Sequence, residues 1–211
     1  MKTPFQNASG ISLIAATIVT VATITMHPSG GDTGQILKMQ HMLITSHSII
    51  IFSLPFLLFG FFGVASALSG PGKLSFLGLI IMGVGLFAAL IAATLNGITL
   101  PLFIAENYRQ NEDLIALVRS YGMALSGPMA SIFIAMYSVA IFIWSLLLVR
   151  CSGPCKWAGY FGIAILAITG IGYLSGFNLI SLGYFRIFIF GIIAWNLSAG
   201  MLLITGKINM K

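Results

Sequence analysis

Long apolar runs separated by short polar joints recur six times along the chain, over residues 10–26, 48–68, 74–105, 123–149, 157–177 and 185–204. None of them holds an Asp, Glu or Lys, and Arg186 touches only the edge of the last. A bilayer core about 30 Å thick is crossed by about 20 apolar residues in a helix. Backbone polar groups surrounded by lipid have to be satisfied within the segment, so apolar runs of this length read as helices. Barrel strands would alternate over about ten residues, and these runs do not. The pattern predicts an all-α, polytopic membrane protein with six transmembrane helices in one bundle, a single domain over residues 1–211.

The joints predict local features. His27-Pro28-Ser29-Gly30-Gly31 closes the first run and Ser69-Gly70-Pro71-Gly72-Lys73 the second. After the first, helix is expected to restart near Asp32 or Thr33, with Asp32 as its cap, and to run through His41 into the second span. Pro55, Pro101 and Pro128 are the expected kinks, because proline removes a ladder hydrogen bond. Residues 111–119 read as a short interfacial helix: Asn111 can cap it, Glu112 and Asp113 lie in its first turn, and Arg119 lies in its last. Lys2 followed by an apolar stretch has the outline of a signal peptide, but Gln6-Asn7 interrupts it and no A-x-A site follows, so the first run is read as a retained helix.

Composition sharpens the class. The 211 residues are 58% hydrophobic and 7% charged, with a mean hydropathy of +1.05. Soluble domains carry about 25% charged residues, so a cytosolic enzyme, a disordered chain and a nucleic-acid binder are excluded, and the bilayer is the expected partner. The net charge of +6 comes from ten Lys/Arg against four Asp/Glu. Lys2, Lys73, Arg150, Lys156, Lys207 and Lys211 fall on one side of the bundle. Lys38, Arg109, Arg119 and Arg186 fall on the other, with all four acids. The positive-inside rule then places both termini in the cytoplasm and Cys151 and Cys155 in a reducing compartment. Their C-x-x-x-C spacing is neither a disulfide framework nor a zinc site.

Helices in lipid associate through small residues. Three stripes are expected to be contact faces: Gly85, Ala89, Ala93 and Gly97; Gly127, Ser131 and Ala135; and Gly172 with Gly176.

Candidate chemistry is sparse. No ionisable residue lies mid-span, which argues against a proton relay. Asn96 and Asn196 are the mid-membrane amides, read first as interhelical hydrogen-bonding groups and second as solute contacts. His27, Asp32, His41, His47 and Glu106 gather toward the outer face as a candidate gate or ligand site, with the first outer loop folding over the end of the third helix. Imidazoles with carboxylates can also hold a metal or haem. His41 and His47, however, stand about 240° apart on a helix, and no H-x-x-x-H or H-E-x-x-H occurs, so no metal ligand or cofactor is assigned. Ser126-Gly127-Pro128 lacks the preceding glycine of the rhomboid protease motif and a partner histidine, and no catalytic residue is assigned.

The stretch from Ser120-Tyr121-Gly122 through Leu147-Leu148-Val149-Arg150 to Ala167-Ile168-Thr169-Gly170-Ile171-Gly172-Tyr173-Leu174 resembles the second half of a bacterial six-helix membrane family of unknown function. The resemblance implies six helices and a bacterial cytoplasmic membrane, and no activity. The favoured function is a small permease or substrate-binding membrane subunit for a neutral or weakly polar solute, similar in size and helix count to the substrate-capture subunits of vitamin uptake systems. The alternatives are a redox, haem or metal-binding membrane protein using the outer histidines, and a non-catalytic membrane partner subunit. A homo-oligomer or a partner membrane subunit fits each of them.

Overall fold

The computed structural model describes residues 3–26, 32–70, 73–108, 111–176 and 182–208, without the side chains of 173 and 182–186. Its helices are α1 (Pro4–Met26), α2 (Thr33–Lys38), α3 (Gln40–Ala67), α4 (Leu74–Thr94), α5 (Leu100–Asn107), α6 (Glu112–Leu148), α7 (Pro154–Leu174) and α8 (Leu182–Thr205), with a π-helical turn over Leu95–Thr99 joining α4 to α5. Six helical stretches are long and apolar enough to cross a membrane, α4 and α5 counting as one. The protein is a six-helix, multi-pass membrane protein. Large apolar side chains that would be costly in water face outward, among them Phe52, Phe56, Ile80 and Phe87, and form the lipid-contacting surface.

The spans close into a ring in which each packs on the next in the order α1, α3, α4, α6, α7, α8 and back to α1. Gly10 near the start of α1 lies against Gly200 near the end of α8, where a Cβ on Gly10 would stand 2.7 Å from the Gly200 carbonyl oxygen. This is the terminal end of the bundle; the opposite is the far end.

The terminal half is filled. Gly60 and Gly63 of α3 admit Leu13 and Ser9 of α1, Gly78 of α4 lies under the Trp144 indole, and Gly159 and Gly162 of α7 close on Ser145 and Val149 of α6. Close backbone approach at small residues is how helices gain contact in lipid. Large aromatic rings occupy the centre. Trp144 stacks on Trp195 at 6.0 Å and on Phe61 at 5.3 Å between centroids, and its Nε1 donates to the Ser75 carbonyl at 2.9 Å. Cys151 and Cys155 are buried free thiols at this end.

Several local expectations are corrected. The helix beginning at Asp32 does not run unbroken into the second span, because Met39, with φ −103° and ψ 11°, separates α2 from α3. Asn111 does cap a helix, its side chain accepting from Leu114 N at 3.0 Å. That helix is not a separate interfacial piece, because it continues without interruption to Leu148. At 37 residues, α6 is about 55 Å long and projects beyond a hydrocarbon core of about 30 Å. Of the small-residue stripes, Gly85 packs closely on Met136 of α6, whereas Gly127 and Gly176 have open space where a Cβ would be, and Ser131 and Ala135 are exposed.

The π-helical turn has a local cause. Pro101 stands just inside α5 and is buried. Its ring would crowd the carbonyl of residue 97 and it offers no N–H, and a widened turn relieves both problems.

A candidate ligand cavity

In the far half the ring is hollow. A partly open cavity of about 670 Å³ runs down the bundle axis, walled by every transmembrane helix except α7. It lies within the range of small-molecule sites, about 300–1,000 Å³. The emptiness follows from side-chain size. Where the terminal half inserts tryptophans, the far half offers Ala89, Ala92 and Ala93 from α4 and Gly127 and Ala130 from α6.

Its floor is a buried polar pair. Tyr137 OH donates to Asn196 Oδ1 at 3.1 Å, and Asn196 Nδ2 donates to Tyr137 OH at 2.8 Å. The amide nitrogen carries two hydrogens, and this pairing uses one. Asn196 thus makes the interhelical bond expected of it and also lines the cavity. Below, Tyr137 meets Phe61 edge-on at 5.7 Å, which joins the floor to the aromatic core.

The walls are largely apolar, and their hydroxyls are turned inward to their own helix. Thr17 Oγ1 donates to the Leu13 carbonyl at 2.6 Å and Thr20 Oγ1 to the Ala16 carbonyl at 2.9 Å. Asn96, on the π-helical turn, also lines the cavity. Its amide makes no hydrogen bond among the described residues, so the expected helix-to-helix bond is absent there. Beside it, His47 is buried and fills the space left by Gly97. Its Nδ1 lies 2.8 Å from the Leu43 carbonyl. A carbonyl only accepts, so Nδ1 carries the hydrogen in this contact.

The far rim is built by α2 and the projecting start of α6. Ile36 and Leu37 of α2 pack on a cluster of Leu100, Ile104 and Ile115, so α2 lies over the far end of the third span. Gln35, Met39 and Arg119 complete the rim. Arg119, placed by sequence in the last turn of a separate interfacial helix, stands on the second turn of α6 and is the one guanidinium, ammonium or carboxylate among the described lining residues.

The outer polar residues do not meet as one group. His27 lies outside the described residues. Asp32 is exposed and caps α2, accepting from Gln35 N at 2.8 Å, as expected. His41 and Glu106 are exposed, and no hydrogen bond joins them to Asp32 or to each other. Among the described residues no group of three His, Cys, Asp or Glu could hold a metal ion. His47 parts from this set by facing into the bundle. Sequence reasoning missed Tyr137 as partner of Asn196 and Arg119 as a rim residue. The only available signal was that Tyr137 is a mid-span phenol in need of a hydrogen-bond partner.

The chain matches no family model, no curated protein and no solved structure, so the functional reading rests on the geometry of the cavity.

Proposed function

We propose that the protein is a small permease or substrate-binding membrane subunit whose neutral or weakly polar solute sits in the far-half cavity. The observation that carries this reading is the hollow itself: an apolar space of about 670 Å³, floored by one polar pair and holding the unpartnered amide of Asn96. A large apolar pocket with a few convergent polar groups is the usual form of a small-molecule site. A tightly packed floor beneath an open upper half is also the arrangement of a site reached from one side at a time.

The distribution of Lys and Arg supports a cytoplasmic terminal end and a cavity facing the outer side of a bacterial cytoplasmic membrane. In this reading α2, capped by Asp32, is the gate over the entrance, and His41 and Glu106 belong to its solvated surface.

The test uses the purified protein in lipid nanodiscs. Thermal unfolding is followed with indole, menadione and dodecanol, for wild type and for Ala93→Phe, which fills the cavity. Stabilisation of wild type that is lost in Ala93→Phe is the expected outcome. Equal responses of the two proteins to every solute would remove the reading. Uptake of the stabilising solute by proteoliposomes then separates a permease from a binding subunit.

A further inference from the structure

The cavity is long for its volume. Along α3 its lining runs from Leu43 to Leu57 and along α4 from Leu86 to Leu100, about 21 Å in each case at the helical rise. A volume of about 670 Å³ over that length leaves a mean width of about 6 Å for the centres of atoms. A space several times longer than it is wide suits an extended hydrocarbon chain better than a compact, globular solute.

The polar groups are distributed to match. The middle is lined by Ile50, Leu54, Ala92, Ala93 and Ala130, with no charged side chain. Sugars and amino acids carry many polar groups and would leave most of them unpaired here, at a cost of about 1–3 kcal/mol each. The charge sits at the far rim, where Arg119 joins Gln35, and the open amide of Asn96 lies on the wall between rim and floor. Because α6 is longer than the hydrocarbon core is thick, we take the rim, near its start, as the level of the membrane interface. A ligand with its head at the rim and its tail in the cavity would therefore keep its charge near the membrane interface and its chain in the bilayer half.

We propose that the solute is a single-chain amphiphile with an anionic head, a carboxylate or a phosphate, held at Arg119 with its chain running down to the Tyr137–Asn196 floor. This rests on the cavity reading above and names the chemistry of its solute. A guanidinium presents several donors in a fork that suits either head, and Asn96 lies along the path of the upper chain.

The test measures binding of dodecanoate, dodecyl phosphate, dodecanol and dodecyltrimethylammonium to the full chain in nanodiscs, by thermal unfolding and by displacement of a fluorescent fatty acid. One or both anions are expected to bind best. Preference for dodecanoate identifies a fatty acid, preference for dodecyl phosphate a phosphorylated lipid, and equal binding shows that the anionic charge decides. Arg119→Gln should weaken the anions roughly tenfold, the weight of a charged hydrogen bond, and leave dodecanol unchanged. Arg119→Lys, which keeps the charge and guards against a folding defect, should retain much of the preference. Ala93→Phe should abolish binding of all four. Binding of the cationic chain as tight as that of the anions, or an Arg119→Gln protein with unchanged anion affinity, overturns the proposal. If indole or menadione binds in an Ala93-dependent way and no chain does, the cavity reading stands and the chain proposal falls. If no probe distinguishes wild type from Ala93→Phe, both fall.

Discussion

The imidazole of His47 occupies the space that any side chain at position 97 would need, because a Cβ on Gly97 would overlap its ring atoms. Two spans are fitted together at this point, α3 through the histidine and the π-helical turn through the glycine. Gly97→Ala is therefore expected to lower stability by about 1–3 kcal/mol, as overpacking does. Gly83→Ala, where a Cβ meets nothing within 4 Å, should be neutral or slightly stabilising, since alanine is the better helix former. Unfolding midpoints in nanodiscs compare the two. Equal midpoints would mean that the ring swings aside at no cost.

The floor pair should behave as a coupled unit. Tyr137→Phe leaves the Asn196 amide without its partner, and Asn196→Leu does the same to the phenol. Each single change should destabilise, and the double change should cost less than their sum, with a coupling of about 0.5–2 kcal/mol. Strict additivity in the double-mutant cycle would show that the bond carries no energy.

Ser145 gives a prediction of opposite sign. Its hydroxyl is buried with no hydrogen-bond partner among the described residues, like the Nε1 of Trp195, and both face Gly162. Ser145→Ala removes a desolvated polar atom and raises helix propensity, so it should be neutral or stabilising by about 0.5–1 kcal/mol. Gly162→Ala presses a methyl on the same two side chains and should destabilise. A clear loss of stability in Ser145→Ala would reveal a partner for that hydroxyl, such as a buried water.

The ring puts Ser69, Lys73 and residues 149–153 at the terminal end, and Asp32 and Asn111 at the far end. Reporter fusions at Lys73 and Arg150 are expected to report cytoplasm, and fusions at Asp32 and Asn111 the outside, as the basic residues at the terminal end require. An external signal at Lys73 would invert the orientation and turn the cavity mouth toward the cytoplasm.

Much of the architecture was legible because each span advertises itself locally. A run such as Leu74–Ala93 has no charge and no alternation, and the caps Asp32 and Asn111 are residues whose side chains accept from the first turn. The cavity was not legible, because it arises from a difference in volume between two layers of a six-helix ring. Ala89 and Ala93 look like Gly85 in sequence, and only packing shows that Gly85 meets α6 while the alanines border empty space. Ala93→Leu should thus cost less stability than Gly85→Leu, against the expectation that one stripe acts as one face. The same blindness affected His47, whose inward direction is set by the absence of a side chain on Gly97, fifty residues away. The break at Met39 and the continuity of α6 depend on how α2 and the start of α6 share the cluster around Ile104, which no local pattern encodes.

The aromatic core beneath Tyr137 closes the hollow on its terminal side, which leaves the rim of α2 and α6 as the mouth in the reading proposed above. If the proposed solute binds there, the fraction of hollows filled at equilibrium would follow its chemical potential on the side of the mouth, whatever its level across the membrane. In this conformation such a molecule would be a gauge of one side. Net movement through it would require the stacked rings of Phe61, Trp144 and Trp195 to part while the mouth is shut. The work of unstacking them would then appear in the turnover rate and leave the affinity at the mouth unchanged.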